Sequence, residues 1–494
     1  MKLHIRSQGA VGLAGAAGGV LLLCALLLSC SPQKVEEPFE PSSSYLEYRS
    51  ALERLGLDGT DLGRSWILSG EEALRRPVQV VTPFEEAMLL DPQAPAAIAY
   101  VFEARRGQAV TVSFRTEMDA YFADLFRVDG QALEGAASEL PAPVASRPRG
   151  AGEIRIEVRQ DGYYLLRVQP ELLRGGSFDV SIVATASLAF PVEGADPSDI
   201  WSFYGDPRDG GRRIHEGIDI FAARGTPALA VADAVVSSVR IGGLGGKTVS
   251  LRLLEQGITV YYAHLDEQLV ERGQRVDRGE IVGRVGNTGN AATTPPHLHL
   301  GIYEGAWRQD VDPWDYVVDP PRVRPPVATG KDLAGRWMRT VRETALGAAL
   351  PAPARTSSLR NRARQGSSLG AGDSRARAAQ DTAETTLAKT RELLGSLAAP
   401  LPLEADSPVH VLGAAGGLVR VRTPLGHEGF VDPADLGEAL GGYALPLAAA
   451  VREPWSGDAF VGPGASSPAS LLGREAGRTY VMLESGRVGY VLLQ

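Results

Sequence analysis

Cysteine is almost missing from this chain: Cys24 and Cys30 are the only two among 494 residues. A fold stapled by disulfides is thereby excluded. An excess of positive charge is missing too. With 50 Lys+Arg against 59 Asp+Glu, a net charge of −9 and a pI near 5.5, nucleic acid is not an expected partner. Residues 200–318 keep the same balance, with 12 Lys+Arg against 15 Asp+Glu. The helical two-histidine metalloprotease motif is also lacking, because the place of its second histidine after His215-Glu216 is held by Asp219. What remains is 44% hydrophobic and 22% charged residues, ordinary for a soluble globular protein. The length calls for about three or four domains.

Four of the seven histidines fall within Arg213 to Tyr303. In an extended strand, residues two apart share a face. His297 and His299 therefore point the same way, with Gly301 beside them adding no side chain, and Leu298, Leu300 and Ile302 point oppositely into a core. His215 and Asp219 are an even number of residues apart, with Gly217 between them, so an extended segment places them on one face as well. His264 ends the apolar run Ile258 to Leu265. A single histidine on a strand is ordinarily a surface or core residue. Five ionisable groups at these spacings in one strand-rich segment are harder to assign to packing. Two imidazoles, a carboxylate and an open fourth position describe a catalytic zinc site.

At these residues the chain resembles the lysostaphin-like, or LytM-type, zinc metallopeptidases, which cut peptidoglycan cross-links. The likeness runs through His215-Glu-Gly-Ile-Asp219-Ile220, Gly225-Thr-Pro227, Tyr262-Ala-His264-Leu265, Gly273-Gln-Arg-Val276, Gly279-Glu-Ile-Val-Gly283, Gly286-Asn-Thr-Gly289 and Pro296-His-Leu-His-Leu300. It covers about 130 residues, Pro191 to Asp319. It departs from the family at Leu300, often Phe, and Gly301, often Glu. The resemblance implies that His215, Asp219 and His299 ligate zinc and that His264 and His297 assist catalysis. One of the two would accept the proton of water and the other would hydrogen-bond the oxyanion, with nothing in the sequence to say which does which. Some relatives are latent because an upstream Asn fills the fourth zinc position. No Asn precedes Asn287 here, which leaves an upstream Asp or Glu, for example one within Trp201 to Gly211, as the candidate for such a latch.

The flanks give the rest of the organisation. Lys2 and Arg6 precede an uncharged stretch, Gly9 to Ser29, and Leu27-Leu-Ser-Cys30 resembles a lipoprotein processing site. Residues 1–29 then read as a signal peptide and Cys30 as the lipidated residue holding the chain to a membrane, with a transmembrane anchor as the alternative. The residue Ser31 suits the outer membrane facing the periplasm if the cell has two membranes. Residues 30–44 read as a tether. Residues 45–189 read as a short helix, Tyr45 to Leu57, followed by a β-sandwich. Its signals are the alternating sets Ile98/Tyr100/Phe102, Val110/Val112/Phe114, Phe122/Phe126/Val128, Ile154/Ile156/Val158 and Phe178/Val180/Ile182. That sandwich serves either to bind glycan or to space the enzyme from its anchor.

After the peptidase-like segment, 190–319, residues 320–403 read as a linker with helices, one around Leu333, Trp337 and Val341 and one through Leu387, Thr390, Leu394 and Leu397. Gly366-Ser-Ser-Leu-Gly370 fits the nucleophile-elbow pattern only formally, since its flanks offer no buried strand. Residues 404–494 contain a repeat: Val419-Arg-Val-Arg with Gly426 to Val431 is echoed by Tyr480-Val-Met-Leu with Gly486 to Val491. These pieces resemble small bacterial Src-homology-3-like barrels. His410 and His427 within them read as surface residues. The expected fold class is mainly β and multi-domain with few helices. The expected function is that of a zinc metalloendopeptidase of peptidoglycan. The alternative, a non-catalytic activator or wall-binding lipoprotein, fits poorly with a full set of ligands.

Overall fold

The computed structural model describes residues 43–92, 96–129, 142–305, 309–320, 331–347, 385, 387–394, 399–444, 450–454, 459–461 and 468–492. The signal-peptide and lipidation readings, and the Gly366–Gly370 pattern, lie outside these residues. Among the described residues no helix is long and apolar enough to cross a membrane. The architecture is mainly β, as expected, with a few short helices.

Helix Ser44–Arg54 begins where Ser43 Oγ accepts the amide of Leu46 at 3.3 Å. A second helix, Asp61–Arg75, was not anticipated; Thr60 Oγ1 caps it by accepting from Gly63 N at 3.1 Å. The two helices bury Tyr45 against Trp66, with ring centroids 5.1 Å apart. Behind them lies a sandwich of two sheets. The five-stranded sheet contains Ile98–Ala104, Gly162–Pro170 and Tyr121–Val128, and the larger one contains Phe84–Leu90, Gly176–Ala186 and Gln108–Thr116. Tyr100, Phe102, Val110, Val112, Phe178 and Ile182 fill the space between the sheets. Strand Tyr121–Val128 alternates but is buried on both faces, and the expected core set Phe122, Phe126 and Val128 lies on the face away from the sandwich core. Tyr121, Ala123 and Leu125 face the sandwich core. Phe126 and Val128 face outward, where Leu74 of the second helix and Leu387 and Leu394 of the helical residues 387–394 cover them.

The central segment forms an eight-stranded sheet. Strand His297–Glu304 runs antiparallel between Ile218–Phe221 and Ile258–Leu265. Its inward residues Leu298, Leu300 and Ile302 are fully buried with Ile218, Ile220, Val249, Leu251, Val260 and Tyr262. Each such side chain contributes roughly 1.5–3 kcal/mol on burial. The opposite face of these three strands carries the polar residues.

The C-terminal part departs from expectation in two ways. Trp337–Thr340 is a strand rather than a helix, with Met338 paired to Val409 and Trp337 to His410. The apolar spacing at Leu333, Trp337 and Val341 suits a helix, but the buried residues of this piece are Met338 and Thr340, two apart. Among the described residues, the repeat modules also form open antiparallel sheets and no closed barrel. In the first module Pro408–Ala415 pairs with Phe84–Leu90 of the sandwich, so one nine-stranded sheet runs through both, while the second module belongs to a separate six-stranded sheet.

That junction encloses a polar cluster. Glu86 Oε2 accepts from Tyr100 Oη at 2.6 Å and from Arg420 at 3.2 Å, and Arg420 also donates to Glu428 at 3.1 Å. Arg422 Nε donates to the second oxygen of Glu428 at 2.8 Å. The repeat seen in the sequence is a repeat of form. Pro408–Ala415 with Leu418–Arg422 and Glu428–Val431 matches Pro468–Glu475 with Arg478–Leu483 and Val488–Leu492. The register shifts at Val411/Gly413 in one and at Leu471/Gly473 in the other. A Cβ on Gly413 would lie 2.3 Å from Ala87 O, and one on Gly473 2.2 Å from Asp406 O. Each glycine therefore lets its module press against the one before it. His410 and His427 are half-buried rather than at the surface, and His410 lies against Trp337, centroids 5.1 Å apart.

Candidate metal centre

Strand register brings two of the three predicted ligands together. Asp219 of Ile218–Phe221 stands opposite His299 of His297–Glu304. His215 precedes that strand, after the short strand Arg213–Ile214, rather than extending it as expected. It reaches the site because the chain turns at Gly217, where a Cβ would sit 2.4 Å from Leu300 O and 2.8 Å from the His299 ring. Any larger residue there would push the two histidines apart.

His215 Nε2 lies 2.9 Å from His299 Nδ1, and each of these atoms lies 3.0 Å from Asp219 Oδ1. These residues form the metal-competent cluster among the described residues. His215 Nδ1–H donates to Phe203 O at 2.9 Å, so its Nε2 presents a lone pair to the other two atoms. Three electron-rich atoms in a triangle of about 3 Å repel one another, and a cation at their centre removes the repulsion. The set, two imidazole nitrogens and one carboxylate oxygen, is that of zinc with a fourth position open. His215, Asp219 and His299 therefore fit the ion that the sequence pattern implies. Although burial alone would raise it, the Asp219 carboxyl is held far below its ordinary range by the His215 and His299 rings beside it. Burial and the facing His215 ring push His299 downward, against the pull of Asp219.

His264 and His297 stand beside this triangle. Their ring centroids are 5.1 Å apart, and that of His264 is 5.9 Å from that of His299. His264 Nδ1 is 2.9 Å from Thr288 O, and His297 Nδ1 is 2.9 Å from Pro295 O. Each backbone carbonyl fixes the Nδ1–H tautomer and leaves Nε2 as the basic nitrogen. His264 adopts φ 62°, a left-handed conformation rare for a bulky residue. Its amide donates to Gly245 O at 2.8 Å and its carbonyl accepts from Thr288 N at 3.3 Å, which hold the strained backbone. Burial, followed by the neighbouring His299 and His297, pushes His264 down to about 4.

Two contributors have no signature in the sequence pattern. Arg208 donates to Asp219 Oδ2 at 3.0 Å and also to Ser202 Oγ, and Ser202 Oγ lies 3.2 Å from His215 Nδ1. They ride on the short pair Pro207–Arg208/Arg213–Ile214 and on strand Ile200–Ser202 at the sheet edge. Nothing in their spacing from Asp219 announces the contact. The acidic residues proposed as a latch lie elsewhere in the hydrogen-bonding pattern: Asp206 accepts from Phe203 N and Ser202 Oγ, and Asp209 from Arg213.

Residues 213–313, about a fifth of the chain, match the sequence model of Peptidase family M23. Over 139 residues the chain is 35% identical to the L-Ala–D-Glu endopeptidase of Bacillus subtilis (strain 168), covering 26% of this chain and 42% of that protein. Over 93 residues it is 39% identical to the peptidoglycan DD-endopeptidase ShyC of Vibrio cholerae serotype O1, covering 19% and 21% of the two chains. Among solved structures, the catalytic domain of the antimicrobial peptidase lysostaphin from Staphylococcus simulans is 27% identical. That match covers 24% of this chain and 91% of that one, with a TM-score of 0.22. The chain spans less than half the length of these curated relatives.

Proposed function

We propose that this protein is a zinc metalloendopeptidase that hydrolyses peptide cross-links of bacterial peptidoglycan. The observation carrying this reading is the triangle of His215, Asp219 and His299 donor atoms with two tautomer-fixed histidines beside it. Zinc held there supplies Lewis acidity and lowers the pKa of water to about 7. The chain's own groups handle the protons. Nε2 of His264 or His297 takes a proton as the water oxygen bonds to the carbonyl carbon. The same ring returns it to the amine as the C–N bond breaks. A second ring can donate to the oxyanion only when it is itself protonated at Nε2, because its Nδ1–H is already committed to a carbonyl. Arg208 and Ser202 keep the Asp219 and His215 side chains in place.

The named relatives divide between L-Ala–D-Glu and DD-endopeptidases. Lipidation at Cys30 would tie the enzyme to the producer's own envelope, and residues 31–44 would span about 45 Å when extended. That placement favours remodelling of the cell's own wall and the direct D-alanyl cross-link. The test combines metal analysis of the purified protein with turbidity and product analysis on sacculi. Zinc with release of monomers from cross-linked dimers is expected; a metal-free protein, or one that leaves dimers intact, would refute the reading. Mass spectrometry of the mature amino terminus tests the anchor, with a lipidated Cys30 expected and an intact Met1 opposing it.

A further inference from the structure

Trp201 is a large aromatic residue left 65% exposed. Its ring is not loose. The indole lies flat on Phe221, centroids 4.7 Å apart and planes at 18°, and its Nε1–H donates to Ser198 O at 3.1 Å. Ser198 is itself fixed, since its amide and its hydroxyl both donate to Asp196 Oδ1, at 2.7 and 2.6 Å. An exposed apolar face held rigid in this way loses little entropy when something lies upon it. With the N–H already engaged, recognition is by the face of the ring and not by hydrogen bonding.

The stack leads into the catalytic cluster. Phe221 is the register partner of His297, and their rings are 5.0 Å apart at 31°. His297 in turn meets His264. On the other side of His299 stand Tyr261 and then Tyr303, at centroid steps of 6.1 and 6.4 Å. The histidines therefore lie along a line of rings, and Trp201 forms its exposed end.

We infer that Trp201 is the platform on which the stem peptide of the substrate lies, contacting a residue no more than about three positions from the scissile bond. The limit is set by distance. The two ring steps place the indole centre within about 10 Å of His297, and an extended peptide advances roughly 3.3 Å per residue. The glycan strand attached at the far end of a cross-linked stem lies beyond that reach. The occupant is thus an aliphatic side chain or amide plane of the peptide rather than a sugar ring. This inference rests on the peptidase reading and adds a specificity residue to it.

The experiment compares wild type with Trp201→Ala and Trp201→Phe on two substrates: cross-linked peptide dimers stripped of sugar, and the same dimers with their disaccharides. Trp201→Ala should raise KM about tenfold on both, a loss of the size expected for one stacked ring. Its kcat should stay within about twofold and its zinc content should be unchanged, while Trp201→Phe retains most of the affinity. An unchanged KM, or a rise confined to the sugar-bearing dimer, would overturn the platform. Wild type that neither binds nor cuts either dimer would be a different result, removing the peptidase reading and this inference together.

Discussion

Two buried polar clusters can be set side by side. At the junction of sandwich and repeat, two guanidiniums, Arg420 and Arg422, face two carboxylates, Glu86 and Glu428. Opposite charges there balance, although Glu86 Oε1 has no protein partner and burial pushes the Glu86 carboxyl upward. At the metal centre, lone pairs face lone pairs across about 3 Å. The first arrangement is balanced in charge by the chain's own side chains and belongs to assembly of the fold. The second is complete only with a cation, and an incompletely paired polar cluster marks a site of chemistry more reliably than burial or charge alone.

The sharpest break in this contrast comes from the ligands. His299→Ala should take zinc from about one per chain to near none and abolish dimer cleavage while leaving circular dichroism unchanged. Metal analysis checks it, and full zinc content in the variant would sink the assignment. His264→Ala and His297→Ala should each retain zinc and lower kcat by about 10² to 10⁴. Loss of metal in either would move that residue among the ligands.

At the other cluster, Arg420→Met should destabilise by about 3–5 kcal/mol, because it strands buried carboxylates. Urea unfolding reads the loss, and the double change with Glu86→Leu should recover much of it. Zinc content should not move in either variant; if it does, the two clusters are coupled and the contrast weakens. The smallest effect is expected at Arg208. Arg208→Ala should weaken zinc by about 10–100-fold, as loss of a ligand-orienting partner does, measured by competition with a chromogenic chelator. Tighter binding would mean that the guanidinium charge opposes the cation more than its hydrogen bond orients Asp219.

The histidines were legible because strand periodicity is local: His297 and His299 share a face for the same reason that Leu298 and Leu300 are buried. Sandwich strands were legible from the same alternation. Arg208 and Ser202 were not, since hydrogen bonds at a sheet edge leave no period. The outward set Phe126 and Val128 showed as an apolar alternation, but its covering helices come from distant parts of the chain. For Trp337–Thr340 the helical spacing of its neighbours misled, and pairing with Pro408–Ala415 decided the matter. That pairing, like the union of Phe84–Leu90 with Pro408–Ala415, depends on which edges meet.

That union has a consequence for how the molecule is mounted. The polypeptide leaves the sandwich after Gly176–Ala186, makes the sheet with the candidate metal site, and returns at Trp337–Thr340 to strands laid against the sandwich it left. The central segment is thus an excursion from a frame made of both ends of the chain. Any tension applied between the two ends of the chain would run through the backbone hydrogen bonds joining Glu86, Ala87 and Met88 to Ala415, Ala414 and Gly413. The segment with the histidines would hang outside that line of force, and its geometry would be spared the strain.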